Sequence, residues 1–522
     1  MLLRSNTENF NFLGFVIVVV LVFSMFSRFL SSFSIYAAIF VFLSIVFILF
    51  LNNFKFTFNK YSIFVVLFVL NVIISYYFAD YKYNVRGEIF LLLGSVVIYL
   101  LTTFLSQAQK KFIINVSVFM GLWLSIYIFA FNLSSVNFLK ASMSTSCVTT
   151  YVCFLLVSFS LSFAFWNDQA KVYKFLPYIL FCAILLTKLL IPITIACLVF
   201  AGSIFFLKKH KIKNIFSLSF ALFSVLPCYW LFKTNFFNSK IFMWKTALFV
   251  IKDNFLIGVG FNNYKTVSRA YGLIQDIDIS NIDNIFLQVL CENGIFGFVF
   301  FMLILVTFFY YSIRKIKENR DFYFAIFVAS ISFLLYNFFN SSAFISSNML
   351  LFFSILAMSV RQVKNIKVRK RKINSHILIL LFVPFIFALG RFVYAKEQYN
   401  KGIYYLATAK YPVAQELFIN SVCKDSLNPE TFARLGDIYF YKYQNTKKRI
   451  FLKLAISLYT RSLNLNNYNS NYCYQLAWLY SFYGKKDHVK KYIDKAILMD
   501  PFNFLYYENY NTLISLGVAN DV

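Results

Sequence analysis

The feature that most constrains this chain is a series of continuous apolar runs, each about 20 residues long, that extends to about residue 393. A helix needs about 20 mostly apolar residues to cross a bilayer core, where only helices and closed barrels satisfy their backbone polar groups. Continuous runs indicate helices. The sequence therefore predicts an all-α polytopic membrane domain over residues 1–393 with about thirteen transmembrane helices, near residues 11–30, 33–51, 61–79, 88–105, 112–131, 147–166, 174–188, 190–207, 214–232, 294–312, 322–339, 345–360 and 375–393.

Composition excludes several classes of protein. With 60% hydrophobic and only 14% charged residues among 522, the chain is not a soluble globular protein. Its net charge of +29 comes from basic residues clustered between apolar runs, which is typical of topology signals, so we expect no nucleic-acid partner. The eight cysteines include no Cys-x-x-Cys pair and indicate neither a disulfide framework nor a zinc site.

Basic residues predict the sides of the membrane, because cytoplasmic loops carry an excess of Lys and Arg. Alternate loops hold such clusters, among them Lys208–Lys213, Arg314–Arg320 and Arg361–Lys372. We therefore expect a cytoplasmic N-terminus, a long external loop at 233–293 and an external C-terminal tail. Lys188 and Pro192 interrupt the run at 174–207, where two short helices or a re-entrant hairpin keep every later basic cluster inside.

After residue 394 the apolar residues become periodic, which predicts a soluble helical domain at 394–522. The small and aromatic spacing resembles tetratricopeptide repeats, in three helix pairs with an insertion near 442–449. A generic helical bundle is the alternative. Either arrangement favours protein contact or bracing over chemistry, so a protein partner is expected. The residues that carry the repeat pattern are Gly402, Tyr405, Ala414, Phe418, Leu435, Gly436, Tyr439, Ala455, Tyr459, Leu476, Ala477, Tyr480, Gly484, Val489, Ile493 and Ala496.

The external loop carries an ordered set of motifs. They comprise Lys240-x-x-x-Trp244, Gly258-Val-Gly260 followed by Asn262, then Asp283-Asn284 with Gln288, and Glu292-Asn-Gly294. In order and spacing this loop resembles the signature loop of the O-antigen ligase and O-antigen polymerase superfamily of bacterial envelope glycosyltransferases. The resemblance extends over roughly residues 11–360, and the tail is an addition.

The resemblance implies a reaction at the outer face of the bacterial cytoplasmic (inner) membrane. A glycan would pass from an undecaprenyl-pyrophosphate-linked donor to a sugar hydroxyl of a glycan or lipid-linked acceptor, without nucleotide sugar, metal or cofactor. Such a transfer needs cations that neutralise the charge developing on the pyrophosphate, and a base that takes the acceptor proton.

Cations retained on the outer side against the positive-inside bias are candidate pyrophosphate ligands: Arg28, Arg86, Lys188 and Lys240. Arg86 and Lys240 are the favoured pair, and Lys240 stands where the family usually has Arg. A Lys keeps the charge but loses the bidentate fork that suits phosphate. The alternative for each is a side chain that snorkels to the interface or balances a neighbouring acid.

The candidate base departs from the family pattern, because Asp283 occupies the position where ligases of the family place His before Asn284. Of the three histidines in the chain, His210 and His376 are expected in the cytoplasm and His488 lies in the tail. Asp283 is then the candidate general base or a group that orients the acceptor hydroxyl. The alternative is that Asp283 and Asn284 only cap a helix.

The sequence leaves three possible functions. A glycan polymerase or ligase is favoured, with the missing His tilting the choice toward polymerisation. A catalytically inactive anchor that presents the repeats to envelope assembly partners is the alternative. A flippase for lipid-linked glycan ranks lowest, since the apolar runs hold few ionisable groups away from their ends.

Overall fold

A computed structural model describes residues 17, 20, 62–133, 145–166, 171–207, 236–271, 282–342, 346–360 and 375–519. The described residues form helices joined by short connections, and no strand occurs among them. The predicted all-helical class is therefore confirmed for this part of the chain. Two predicted spans, 33–51 and 214–232, and nearly all of 11–30, lie outside the described residues.

Each predicted span within the described residues is occupied by a helix. Before the tail the helices are α1 (Ser62–Phe78), α2 (Lys82–Thr103), α3 (Gln107–Leu133), α4 (Thr145–Ser162), α5 (Lys171–Leu186), α6 (Leu190–Leu207), α7 (Phe236–Asp253), α8 (Tyr264–Val267), α9 (Ile285–Ile316), α10 (Arg320–Asn337) and α11 (Ser346–Ser359). A 3-10 turn at Ser268–Tyr271 follows α8.

Three helices of the described part are long and apolar enough to cross a membrane on length and composition. They are α2 over Val85–Thr103, α3 over Gln107–Phe129, and α9 along its whole length. The described apolar helices α1, α4, α5, α6 and α11 are shorter. The total of thirteen crossings and the assignment of sides stay predictions.

The core of this region lies around α4 and the 3-10 turn that follows it, where residues 151–166 are all buried. Its small polar residues face neighbouring helices, where Ser158 donates to the carbonyl of Ser117 in α3 at 2.9 Å. Ser160 lies 2.8 Å from Ser332 of α10, hydroxyl to hydroxyl. Small residues at helix contacts let the backbones approach closely, and their hydroxyls pair without water. The run at 174–207 is divided into α5 and α6 by a turn at Lys188, in agreement with the predicted helix pair.

The tail begins inside a continuous helix, because α12 (Ser375–Ala407) runs through the predicted boundary at 393/394. Next come α13 (Tyr411–Lys424), α14 (Pro429–Thr446), α15 (Arg449–Leu465), α16 (Ser470–Tyr483), α17 (Lys486–Met499), α18 (Phe504–Glu508) and α19 (Tyr510–Ala519). Helices pair in chain order as α12 with α13, α14 with α15, and α16 with α17.

Two successive pairs are closed by the same type of contact. A β-carbon at Gly402 of α12 would lie 2.6 Å from the ring of Phe418 on α13, and one at Gly436 of α14 would lie 2.7 Å from the ring of Tyr459 on α15. A larger side chain at either glycine would therefore push the paired helix away. The helix pairs agree with the predicted organisation, and their assignment to tetratricopeptide repeats stays a prediction.

Candidate functional site

The centre of the segment that carries the motifs is a break in α9 at Gly294, which has a φ of 65°. The break releases backbone groups from the helix, and the preceding loop binds them. The amides of Val259 and Gly260 donate to the carbonyls of Cys291 and Glu292 at 3.0 and 2.9 Å, and the amide of Ile295 donates to the carbonyl of Phe255 at 2.9 Å. The loop thus completes the hydrogen bonding of the broken helix.

Glycine is needed where these two backbones cross. A β-carbon at Gly258 would lie 2.5 Å from the backbone of Glu292, and one at Gly294 would lie 2.2 Å from the carbonyl oxygen of Leu256. Contacts that close with backbone atoms have no flexible side chain to absorb them. Gly260, also at positive φ, lies against Ala79 after the end of α1. The motif glycines therefore join the loop to α9.

Lys240 and Asp283 are brought together by this junction. The Lys240 ammonium, near the start of α7, forms an ion pair with Oδ2 of Asp283, just before α9. The side chains are only 10% and 18% exposed, respectively. Two predicted site residues, 43 positions apart in sequence, therefore share one partly buried contact.

Asn284 caps the N-terminus of α9. Its side-chain oxygen accepts hydrogen bonds from the amides of Phe286 and Leu287 at 3.0 and 3.1 Å. The preceding residue, Asp283, has a φ of 52°, a left-handed conformation that Asp tolerates better than most residues. The capping alternative from the sequence thus describes Asn284, whereas the Asp283 carboxylate contacts a cation.

An aromatic wall lies one turn beyond the ion pair. The Trp244 ring packs 5.8 Å from Phe338 and 6.4 Å from Phe339, measured between ring centroids. Its buried indole N–H has no acceptor among the described residues. Tyr336, buried near the end of α10, is close enough to Asp283 for an electrostatic interaction. Sequence reasoning missed Tyr336 because it occupies an apolar run that reads as an ordinary membrane helix.

The remaining polar motif residues lie on one face of α9, because positions 284, 288 and 292 are spaced by four. Gln288 donates to Oε1 of Glu292 at 3.3 Å, and the backbone amides of Asn262 and Tyr264 also interact with this carboxylate. Asn262, at φ 58°, donates to the Glu88 carboxylate of α2 at 3.2 Å. These motif residues therefore form a buried polar layer between α2, the loop and α9.

The other predicted cations contact different parts of the molecule. Arg86 on α2 donates to both carboxylate oxygens of Asp425 in the tail at 2.8 Å, and its guanidinium lies 5.1 Å from the ring centroid of Phe392. Lys188 is exposed in the turn between α5 and α6. Arg28 lies outside the described residues. Of the candidate pyrophosphate ligands, only Lys240 is seen in contact with the candidate base.

Metal chemistry has no visible centre in the described residues. No group of three or more His, Cys, Asp or Glu side chains is arranged there to hold an ion.

Comparison with known proteins places this geometry in context. A model of the O-antigen ligase family (Wzy_C) matches residues 84–302. That segment includes Arg86, Lys240, Asp283 and the whole set of loop motifs, and it ends before the tail. No curated protein matches the chain. With the apolar helices, the match indicates a multi-pass membrane protein, and it supports the O-antigen ligase superfamily as the group to which this chain is related.

Proposed function

We propose that this protein transfers glycan from an undecaprenyl-pyrophosphate-linked donor to an acceptor sugar hydroxyl at the outer face of the cytoplasmic membrane. The observation that carries the proposal is the partly buried ion pair of Lys240 and Asp283 inside the segment matched by the O-antigen ligase model. It combines a cation for the leaving pyrophosphate with a carboxylate for the acceptor proton.

Lys240 and Asp283 neutralise each other in this structure. In the proposed reaction, Lys240 contacts the pyrophosphate and Asp283 contacts the acceptor hydroxyl. An incoming pyrophosphate competes with Asp283 for the Lys240 ammonium. Once Lys240 contacts phosphate, an Asp283 oxygen is available to accept a hydrogen bond from the acceptor hydroxyl. Donor binding and preparation of the base are then a single exchange of ion-pair partners.

The transfer step follows from these positions. The acceptor oxygen attacks the anomeric carbon of the donor glycan, and its proton moves to the Asp283 carboxylate. The bond between the anomeric carbon and the pyrophosphate oxygen breaks, and its electron pair leaves with the lipid pyrophosphate beside Lys240. Arg86, the other favoured cation, is held by Asp425 and takes no part in this step. Lys188 and Arg28 remain candidates on sequence grounds alone.

A deletion strain provides the test. Lipid-linked and surface-attached glycans are separated by electrophoresis after the gene is restored as wild type, Lys240→Ala, Lys240→Arg or Lys245→Ala. Lys245 is a matched control, because it is an exposed lysine on the same helix. We expect Lys240→Ala to lose glycan transfer at normal protein level, with transfer retained in the Lys240→Arg and Lys245→Ala strains.

The pattern in the strain without the gene separates the two reaction types. Single repeat units on an otherwise capable envelope indicate a polymerase, and full-length chains left on the lipid carrier indicate a ligase. If the protein is instead a catalytically inactive anchor, the Lys240→Ala strain should make normal glycan, because an anchor keeps its function without Lys240. Normal glycan in the Lys240→Ala strain would therefore reject the proposed enzyme.

A further inference from the structure

A cleft outside the Lys240–Asp283 site separates the external segment from the tail. It has a volume of about 350 Å³, within the range of roughly 300–1,000 Å³ that is usual for small-molecule sites. One wall is formed by Tyr81, Lys265 and Arg269, and the other by Glu430, Tyr468 and the start of α16. The proposed transfer chemistry uses none of these residues.

Side-chain contacts between the two regions hold the walls in place. Tyr468 of the tail donates to Asp80 beside the cleft at 2.8 Å, and Asn428 donates to the hydroxyl of Tyr83 at 3.2 Å. The Arg86–Asp425 pair lies at the same junction. Tyr468 also packs against the apolar cluster beneath the loop, which includes Tyr264 and Ile282. The cleft is therefore a feature of the docked tail.

The loop wall of the cleft carries positive charge. Lys265 and Arg269 are spaced by four across α8 and the 3-10 turn, both are exposed, and neither forms an ion pair with another described residue. Glu430 on the opposite wall accepts a hydrogen bond from Tyr399 at 2.7 Å. Lys265 and Arg269 thus line the cleft opposite Glu430, whose carboxylate already accepts a hydrogen bond from Tyr399.

The rest of the lining consists of neutral hydrogen-bonding groups. Asn466, Asn469 and Ser470 supply amides and a hydroxyl at the start of α16. Burial raises the pKa of Tyr81, and burial together with the neighbouring Asp80 raises the pKa of Tyr468. Both phenols therefore stay protonated at physiological pH. Amides, hydroxyls and aromatic rings recognise sugar hydroxyls and ring faces, and the two cations add a preference for an anionic group.

We propose that this cleft binds an anionic saccharide, a segment of the glycan that bears carboxylate or phosphate groups. The inference rests on the proposed function for the identity of the glycan, and it adds a subsite in which the tail contacts that glycan directly. The tail then contributes to substrate binding as well as to bracing.

Titration calorimetry on the full-length protein in mild detergent tests the cleft. The probes are tetragalacturonic acid, its methyl ester, which removes the charge and keeps the ring hydroxyls, and inorganic phosphate. We expect the acid to bind, with the ester and phosphate each at least about tenfold weaker. The double variant Lys265→Ala/Arg269→Ala should lose the preference for the acid. Lys252→Ala, an exposed lysine at the end of α7 that does not line the cleft, should keep it.

The possible outcomes test the cleft independently of the Lys240–Asp283 site. Absence of binding by the acid, or equal binding by the double variant, overturns the proposed subsite. Phosphate that binds as tightly as the acid overturns saccharide recognition and leaves an anion site. Lys240→Ala should bind the acid normally while losing transfer. Transfer that survives Lys240→Ala would reject the proposed function while leaving the cleft result intact.

Discussion

The junction between the loop and α9 and the junction between α2 and the tail each contain a basic–acidic pair, but the two are built differently. At the first, backbone hydrogen bonds join the loop to a broken helix, and the Lys240 ammonium pairs with Asp283. At the second, Arg86 donates hydrogen bonds to both carboxylate oxygens of Asp425, and its guanidinium lies over the ring of Phe392. An arginine held by two carboxylate oxygens and flanked by an aromatic ring favours fixed geometry, whereas a lysine on a flexible stem exchanges partners easily. We therefore expect the first junction to take part in the chemistry and the second to attach the tail.

Breaking the backbone crossing should have the largest effect. Gly294→Ala would put a β-carbon 2.2 Å from a backbone oxygen at φ 65° and ψ −172°, a conformation that is essentially limited to glycine, so we expect a loss of about 3 kcal/mol or more. Thermal unfolding in detergent measures it. The control is Gly390→Ala in α12, where a β-carbon meets nothing within 4 Å. Equal melting temperatures for the two variants would show that the crossing does not constrain the loop.

Removing the proposed base, Asp283, should have the second-largest effect. Asp283→Asn keeps the shape of the side chain but not its ability to take a proton, so kcat for glycan transfer should fall by about 100-fold, equivalent to about 2.7 kcal/mol. Transfer from a lipid-linked donor by the purified protein measures the change. Asp253→Asn is the control, because Asp253 is an exposed carboxylate that accepts a hydrogen bond from Tyr271 away from the ion pair. A kcat for Asp283→Asn close to that of wild type would show that Asp283 is not the general base.

Weakening the tail junction should affect stability more than chemistry. Asp425→Ala leaves the Arg86 guanidinium without its carboxylate partner, and because the Arg86 side chain is 22% exposed we expect a cost of about 2 kcal/mol. Limited proteolysis of the α12–α13 region and thermal unfolding report this loss. Residual transfer should follow the fraction of folded protein. A drop in kcat at unchanged stability would instead place Arg86 and Asp425 in the chemistry.

The smallest expected effect concerns the helix cap at Asn284. Asn284→Ala removes an acceptor for two amides and should cost about 1 kcal/mol. Asn284→Asp keeps an acceptor and should retain both stability and transfer. Loss of transfer in a stable Asn284→Asp protein would show that the Asn284 amide contacts substrate.

The sequence predicted the helices well because apolar runs of membrane length have few other solutions. The division at Lys188 was predictable from charge, and Lys240 and Asp283 were singled out by their motifs. Their contact was not predictable, because it depends on the crossing of two chain segments at Gly258 and Gly294. The pairing of Arg86 with Asp425 joins residues 339 positions apart, and no local pattern marks such a contact.

Charge reversal at both junctions tests the central claim most directly. The variants Arg86→Asp/Asp425→Arg and Lys240→Asp/Asp283→Lys each keep one positive and one negative side chain in the pair. Transfer from the lipid-linked donor is measured for each reversed pair and its two single variants. The account predicts that reversal restores transfer at the tail junction, where the pair attaches two regions, and leaves it absent at the loop junction, where each residue has its own chemical task. Restored transfer in Lys240→Asp/Asp283→Lys would contradict the account, because a pair that works in either orientation is structural.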